Sequence, residues 1–239
     1  MTAEVAEVRC HMRSKVTYVQ AAGAQTVEGT VLAVFPCTCT VVPAPVTLMM
    51  MVHQNPTASS TFPIGGIVEV IVPPTATLSV DANGFTLPSG VQFSNIGQII
   101  MGQELTVTVE PGTLSTTPPI MPQYGMGPSV AFDASSVELE PSQMTGSITA
   151  IDDNAQSFTL GGNTGPIFLP WPWAPNALNS FNVLTTGQTA YTGFTPDSFD
   201  GLATGQMVSV NGWLFAPPAG SSTPTVVAQG VVLRPNAAF

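Results

Sequence analysis

The chain reads as an all-β protein: two tandem small β-barrel or sandwich domains behind an N-terminal strand-like arm. Three observations predict this. Glycine and proline together make 45 of 239 residues, about 19%, enough to interrupt any long helix. Short β-branched runs recur between Gly, Pro and Asn/Asp punctuation along the whole chain, the spacing expected of a sandwich or barrel. The two halves also repeat one another in order, as a duplicated domain does.

The arm covers residues 1–26. Alternate positions place Val8, Cys10, Met12, Val16 and Tyr18 on one face and Arg9, His11, Arg13 and Lys15 on the other, with Ser14 the exception. That period of two predicts a strand with one wet face. A short helix over residues 3–13, capped by Thr2 with Val5, Val8 and Met12 on a stripe, is the competing assignment.

Beyond the arm, strands are expected at 27–35, 39–52, 67–72, 75–80, 104–110 and 129–139 in the first half. In the second half they are expected at 144–151, 156–161, 180–191, 206–215 and 225–233. Gly29-Thr30-Val31-Leu32-Ala33-Val34 matches Gly146-Ser147-Ile148-Thr149-Ala150-Ile151. Val46-Thr47-Leu48 matches Phe158-Thr159-Leu160, and Val68-Glu69-Val70 matches Phe181-Asn182-Val183. Gly102-Gln103-Glu104-Leu105-Thr106-Val107 matches Gly205-Gln206-Met207-Val208-Ser209-Val210, and Val137-Glu138-Leu139-Glu140-Pro141 matches Val231-Val232-Leu233-Arg234-Pro235. The expected domains are therefore 27–141 and 142–239, with Glu140-Pro141-Ser142 as the junction.

The second half carries G-x-I-x-x-I on Gly146, Ile148 and Ile151, a Phe-x-Val strand on Phe181 and Val183, and Thr189-x-Tyr191. It then carries G-x-x-V-x-V-x-G on Gly205, Val208, Val210 and Gly212, and closes with Ala228-x-x-Val231. This pattern resembles the bacterial domain family catalogued as domain of unknown function 5666; the first half matches it loosely, with long inserts around residues 56–66 and 113–128. The resemblance implies a small barrel in secreted or envelope-associated bacterial proteins. It transfers no catalytic residue, because that family has no established activity.

Charge excludes several functions. The formal net charge is −10, and Arg9, Arg13, Lys15 and Arg234 are the only Lys or Arg residues. Such a chain cannot neutralise a run of phosphates, so no nucleic-acid partner is expected. About 8% charged residues with 44% hydrophobic ones exclude a disordered chain. No run of eighteen apolar residues predicts a membrane span, and the first thirty residues lack a signal-peptide layout. The low Lys content with abundant Thr, Ser, Pro, Ala and Gly points to an extracellular or cell-surface protein numbered from a mature start.

Chemistry-bearing residues are few. Cys10 can bridge either Cys37 or Cys39, leaving one thiol over, or all three remain reduced. Those thiols with His11 lack the usual zinc spacing, and no metal or cofactor is expected. Asp81-Ala82-Asn83-Gly84 and Asp152-Asp153-Asn154 read as turns rather than calcium loops. Two His, one Lys and no G-x-S-x-G elbow offer little to an enzyme, and both His11 and His53 read as surface histidines. The densest aromatic segment is Phe168-Leu169-Pro170-Trp171-Pro172-Trp173, in an insert of the second copy. Phe168, Trp171 and Trp173 are candidate contacts for a glycan or a protein partner, or else a loop folded over its own barrel.

Two functions follow as expectations. The first is a non-enzymatic structural protein that assembles into a homo-oligomer, fibre or surface layer. Val8, Cys10, Met12, Val16 and Tyr18 of its arm would add to a neighbour, and Arg9, Arg13 and Lys15 would meet acidic positions there. The second is an envelope-associated binding module that uses the aromatic loop.

Overall fold

The computed structural model describes residues 25–36, 44–56, 62–117, 129–162 and 178–234. The thirteen strands described form two sheets. In the first, β1 (Thr26–Pro36), β2 (Val46–Gln54), β3 (Ile67–Val72), β5 (Glu104–Val109) and β7 (Ser129–Glu140) run in the order β3-β2-β1-β5-β7. β4 (Thr77–Val80) and β6 (Ser115–Thr117) are added on β7. A parallel pairing of Val68–Ile71 with Val130–Asp133 closes the sheet on itself.

The second sheet repeats the plan. β8 (Ser142–Asp152), β9 (Ser157–Gly161), β10 (Ser180–Leu184), β12 (Met207–Phe215) and β13 (Thr225–Leu233) run β10-β9-β8-β12-β13, with β11 (Ala190–Thr192) added on β13. Asn182–Leu184 pairs in parallel with Thr225–Val227. Each unit is thus a five-stranded closed Greek-key barrel with the strand order of the oligonucleotide/oligosaccharide-binding (OB) fold. The expectation of an all-β chain with two tandem barrels holds.

Alternation fills each interior. In β3 the pattern is strict, with Val68, Val70 and Val72 buried between the partly exposed Ile67, Glu69 and Ile71. Phe62 and Phe132 meet edge to face at 5.4 Å within the first barrel. Met144, Ile148, Phe158, Phe181 and Val210 are fully buried in the second.

The duplication extends to its irregular features. Gly29 and Gly146 occupy one position in the two barrels; a Cβ would lie 2.1 Å from Met51 O in one and 2.5 Å from Gly161 O in the other. Just beyond, both first strands bulge, between Val31 and Ala33 and between Ile148 and Ala150. Before the fourth barrel strand stands a 3-10 turn, Ile96–Gln98 or Phe199–Gly201, with Ile96 or Phe199 buried. Gly102 and Gly205 follow at φ 87° and 85°. The next residue, Gln103 or Gln206, closes that turn with its side chain: Gln103 Oε1 accepts from Ile100 N–H and Gln206 Oε1 from Ala203 N–H, both at 2.8 Å. Val31 N–H donates to Gln103 O and Ile148 N–H to Gln206 O, both at 2.9 Å.

Four expectations are corrected. Pairing places Leu48, Met49 and Met50 opposite Val34, Ala33 and Val31, and Phe158, Thr159 and Leu160 opposite Ile151, Ala150 and Ile148. The true counterpart of Phe158-Thr159-Leu160 is therefore Leu48-Met49-Met50, two residues beyond the match read from sequence. The strand expected at 180–191 is two strands, broken where Thr189 N–H donates to Thr186 O and Thr189 Oγ1 accepts from Thr186 N–H. Among the described residues β2 starts at Val46, after Pro45, which has no N–H to give a ladder. The boundary between compact units falls at Leu139/Glu140, and Val80–Phe93 belongs to the second unit rather than the first.

That reassigned stretch has a sequence cause. The connection between β4 and its 3-10 turn is fifteen residues, 81–95, whereas the matching connection in the second barrel is six, 193–198. All of it but its last two residues, that is 81–93, packs within unit 2 as a strap.

Because the Gly146 site has backbone and the Leu160 side chain within 3.2 Å of a built Cβ, Gly146→Ala should cost about 1–3 kcal/mol, the usual range for overpacking. Gly187→Ala, with nothing within 4 Å, is the matched control and should stay within about 0.5 kcal/mol. Chemical denaturation of both variants checks this; equal stability would refute the close-approach reading.

Candidate functional site

The arm residues Val8, Arg9, Cys10, Met12, Arg13, Lys15, Val16 and Tyr18 lie outside the described residues. So do Cys37 and Cys39, and the aromatic residues Phe168, Trp171 and Trp173. The aromatic segment falls between Gly162 and Ala177, in the connection from β9 to β10, the second and third strands of its barrel. No helix among the described residues is long and apolar enough to cross a membrane.

An ionisable cluster stands on the outer wall of the first barrel. Thr30 stands opposite Met51 on β2 and Glu104 on β5. Its hydroxyl donates to Glu104 Oε1 and so accepts from the Nε2–H of His53. His53 Nε2 also lies 3.8 Å from Glu104 Oε2. Burial raises the Glu104 carboxyl above its ordinary value, the Thr30 hydrogen bond and the His53 charge oppose this, and Glu28 adds to it.

This order of groups is not a nucleophile's. In a hydrolytic triad the imidazole stands between hydroxyl and carboxylate, whereas here the hydroxyl stands between imidazole and carboxylate. Thr30 is also 1% exposed, so its oxygen faces no substrate. The cluster pins three strands together. His53 is exposed, as the sequence reading of a surface histidine expects, but its partners are 23 and 51 residues away and become neighbours only through the strand register. The second barrel has Ser147 opposite Met207 at the matching place.

The second unit holds the other concentration of specific contacts, where the strap meets β12. Trp213 is fully buried and its indole N–H donates to Asp81 O at 3.0 Å. Phe85 lies tilted on the indole, ring centroids 5.1 Å apart. Gln188 reads the strap's main chain: its Oε1 accepts from Thr86 N–H at 2.7 Å and its Nε2 donates to Gly84 O at 3.5 Å. Neither Phe85 nor Gln188 was singled out from sequence, since nothing in either's local pattern marks it.

The acidic turns use their carboxylates on backbone. Asp81 Oδ1 accepts from Asn83 N–H, and Asp152 Oδ1 from Asn154 and Ala155 N–H. Asn83 and Gly84 have positive φ, as such a turn requires. Among the described residues no three His, Cys, Asp or Glu side chains gather to hold a metal ion.

The raised Glu104 carboxyl fixes the sign of a pH effect. Its folded form binds a proton more tightly than its unfolded form, so stability present below pH 4.5 is lost as pH rises through the raised value. Glu104→Gln keeps an acceptor for Thr30 and should therefore raise the melting temperature at pH 7, with the gain vanishing at about pH 4. Thermal melts across that range test it. A variant less stable at pH 7 would mean that the ionised carboxylate supports the barrel.

No family model matches the chain, and no curated protein matches it. Among solved structures it is similar to the wild-type single-stranded DNA binding protein from Thermus aquaticus, at 11% identity and a TM-score of 0.27, over 92% of this chain and 97% of that one. A deletion mutant of the same protein matches at 11% identity over the same shares, with a TM-score of 0.28. Likeness at that level carries no inference about what this chain binds.

Proposed function

We propose that the chain is a non-enzymatic, envelope-associated binding module whose ligand is a neutral glycan. One observation carries the reading: two OB-type barrels whose described residues include a single Lys or Arg, Arg234. Barrels of this order bind oligonucleotides or oligosaccharides on the outer face of their second and third strands. Oligonucleotide affinity comes largely from phosphate neutralisation, which this surface cannot supply. Hydroxyl and amide groups remain, and Phe168, Trp171 and Trp173 lie in the connection joining those two strands in the second barrel. Aromatic faces there suit stacking on a sugar ring. The resemblance to the family of unknown function 5666 agrees with an envelope setting.

Titration of a neutral oligosaccharide panel, followed by tryptophan fluorescence, tests the proposal. One member should saturate the change, and Trp171→Ala with Trp173→Ala should weaken it at least tenfold, about 1.4 kcal/mol. Tight, salt-dependent binding of a single-stranded oligonucleotide would overturn it.

Self-assembly through the arm is the second reading, favoured by the charge layout: Arg9, Arg13 and Lys15 stand together, and residues 16–233 contain no Lys or Arg. Addition of that arm as a donor strand needs an open place in a sheet, and the pairings of β3 with β7 and β10 with β13 leave none between the third and last barrel strands. An arm acting by charge would dock on an outer surface. Light scattering of the full chain and of a variant lacking residues 1–20 should show polymers for the first and monomers for the second. Equal masses would remove the arm from assembly.

A further inference from the structure

We propose that the groove beside Trp213 is a peptide-docking site, filled within one chain by its own strap and open to the strap of a second copy.

The groove demands an occupant. Trp213 is fully buried, and its indole N–H finds its acceptor on the strap, at Asp81 O. With the strap withdrawn, a buried donor loses its partner and the Phe85 ring leaves the indole face. Recognition is mostly of main chain. Gln188 takes one N–H and offers one N–H to the strap backbone, as an added strand would. Two aromatics of the strap are anchored: Phe85 lies on the Trp213 indole, and Phe93 at the strap's end is 6% exposed. No ion pair takes part, because the Asp81 carboxylate is turned back onto Asn83 N–H.

The strap is also suited to leave. It is an extension of nine residues beyond what the sister barrel uses for the same connection, fifteen against six. The ladder of the first barrel closes through β3 and β7 without it. Every copy carries the same segment, so a neighbour's strap offers the same contacts as the chain's own. The own strap has the advantage of a high effective concentration, which a second copy's strap must outcompete.

The test uses the full-length chain and a labelled peptide of residues 80–93, followed by fluorescence anisotropy. Phe85→Ala weakens the internal strap and leaves the groove, so it should bind the peptide saturably. Wild type, with its groove filled, should bind at least tenfold more weakly. So should the Phe85→Ala/Gln188→Ala double variant, whose groove is impaired. Changing NaCl from about 0.05 to about 0.5 M should alter the affinity by less than about twofold, since no charges pair. If Phe85→Ala does not fold, Thr86→Pro replaces it, removing the N–H that Gln188 accepts and restricting the strap's backbone. No saturable binding, or equal binding to all variants, overturns the docking site. Mixing full-length Phe85→Ala with full-length Gln188→Ala, one with the better groove and the other with the better strap, should give a species of twice the monomer mass. Peptide binding without that species overturns the assignment of a second copy as the partner.

Discussion

The parallel pairing of third and last strands governs both barrels. To bring β3 onto β7, and β10 onto β13, the strand at the centre of the sheet must coil strongly while keeping ladders on both its sides. β1 and β8 are those central strands. Each bends at a bulge and gives up a side chain just before it, at Gly29 or Gly146, where the next strand's carbonyl crosses too closely for a Cβ. The buried Gln103 and its counterpart Gln206 then hold the chain where it turns into the fourth strand. Bulge, glycine and glutamine are one device, and its presence in both copies is stronger evidence of duplication than the hydrophobic pattern alone.

Closure also decides what kind of association the molecule can support. An open sandwich presents long strand edges, and a neighbour can extend them. Here the outermost strands are short, four residues in β4 and three in β11. Among the described residues, such edges are too short to offer a neighbour a long ladder. The strap's main-chain contacts with Gln188 show how an extended piece is held without joining a ladder.

Strand positions and the repeat were legible in the sequence because inward residues of a closed barrel must be apolar and its turns need glycine. Val68, Val70 and Val72 alternate for that reason, and Gly102 and Gly205 stand at positive φ. Register was less legible. A shift of two residues keeps every side chain on its face, so Val46-Thr47-Leu48 and Leu48-Met49-Met50 satisfy the same pattern, and only the bulge opposite them separates the two. The strap and the Thr30–His53–Glu104 cluster were not legible at all. Both join residues far apart in sequence through contacts that no local periodicity encodes.

The two copies have diverged most on their outer walls, where the fold imposes least. At one matching place the first barrel sets Thr30 against Glu104 and the second sets Ser147 against Met207. The first wall thereby carries a carboxyl whose pKa burial raises, with a histidine beside it. The second is uncharged there, and its unit also takes the strap and carries the long aromatic connection between its second and third strands. A duplicated barrel needs only one copy to recognise a ligand, and the outer wall of the other is free to diverge. The proposed glycan and the proposed strap exchange both belong to the second copy, while the charged pin belongs to the first. At that place the difference has a physical consequence: an uncharged pair loses little on giving up water to a neutral partner, whereas a partly buried carboxyl and imidazole would have to be desolvated further.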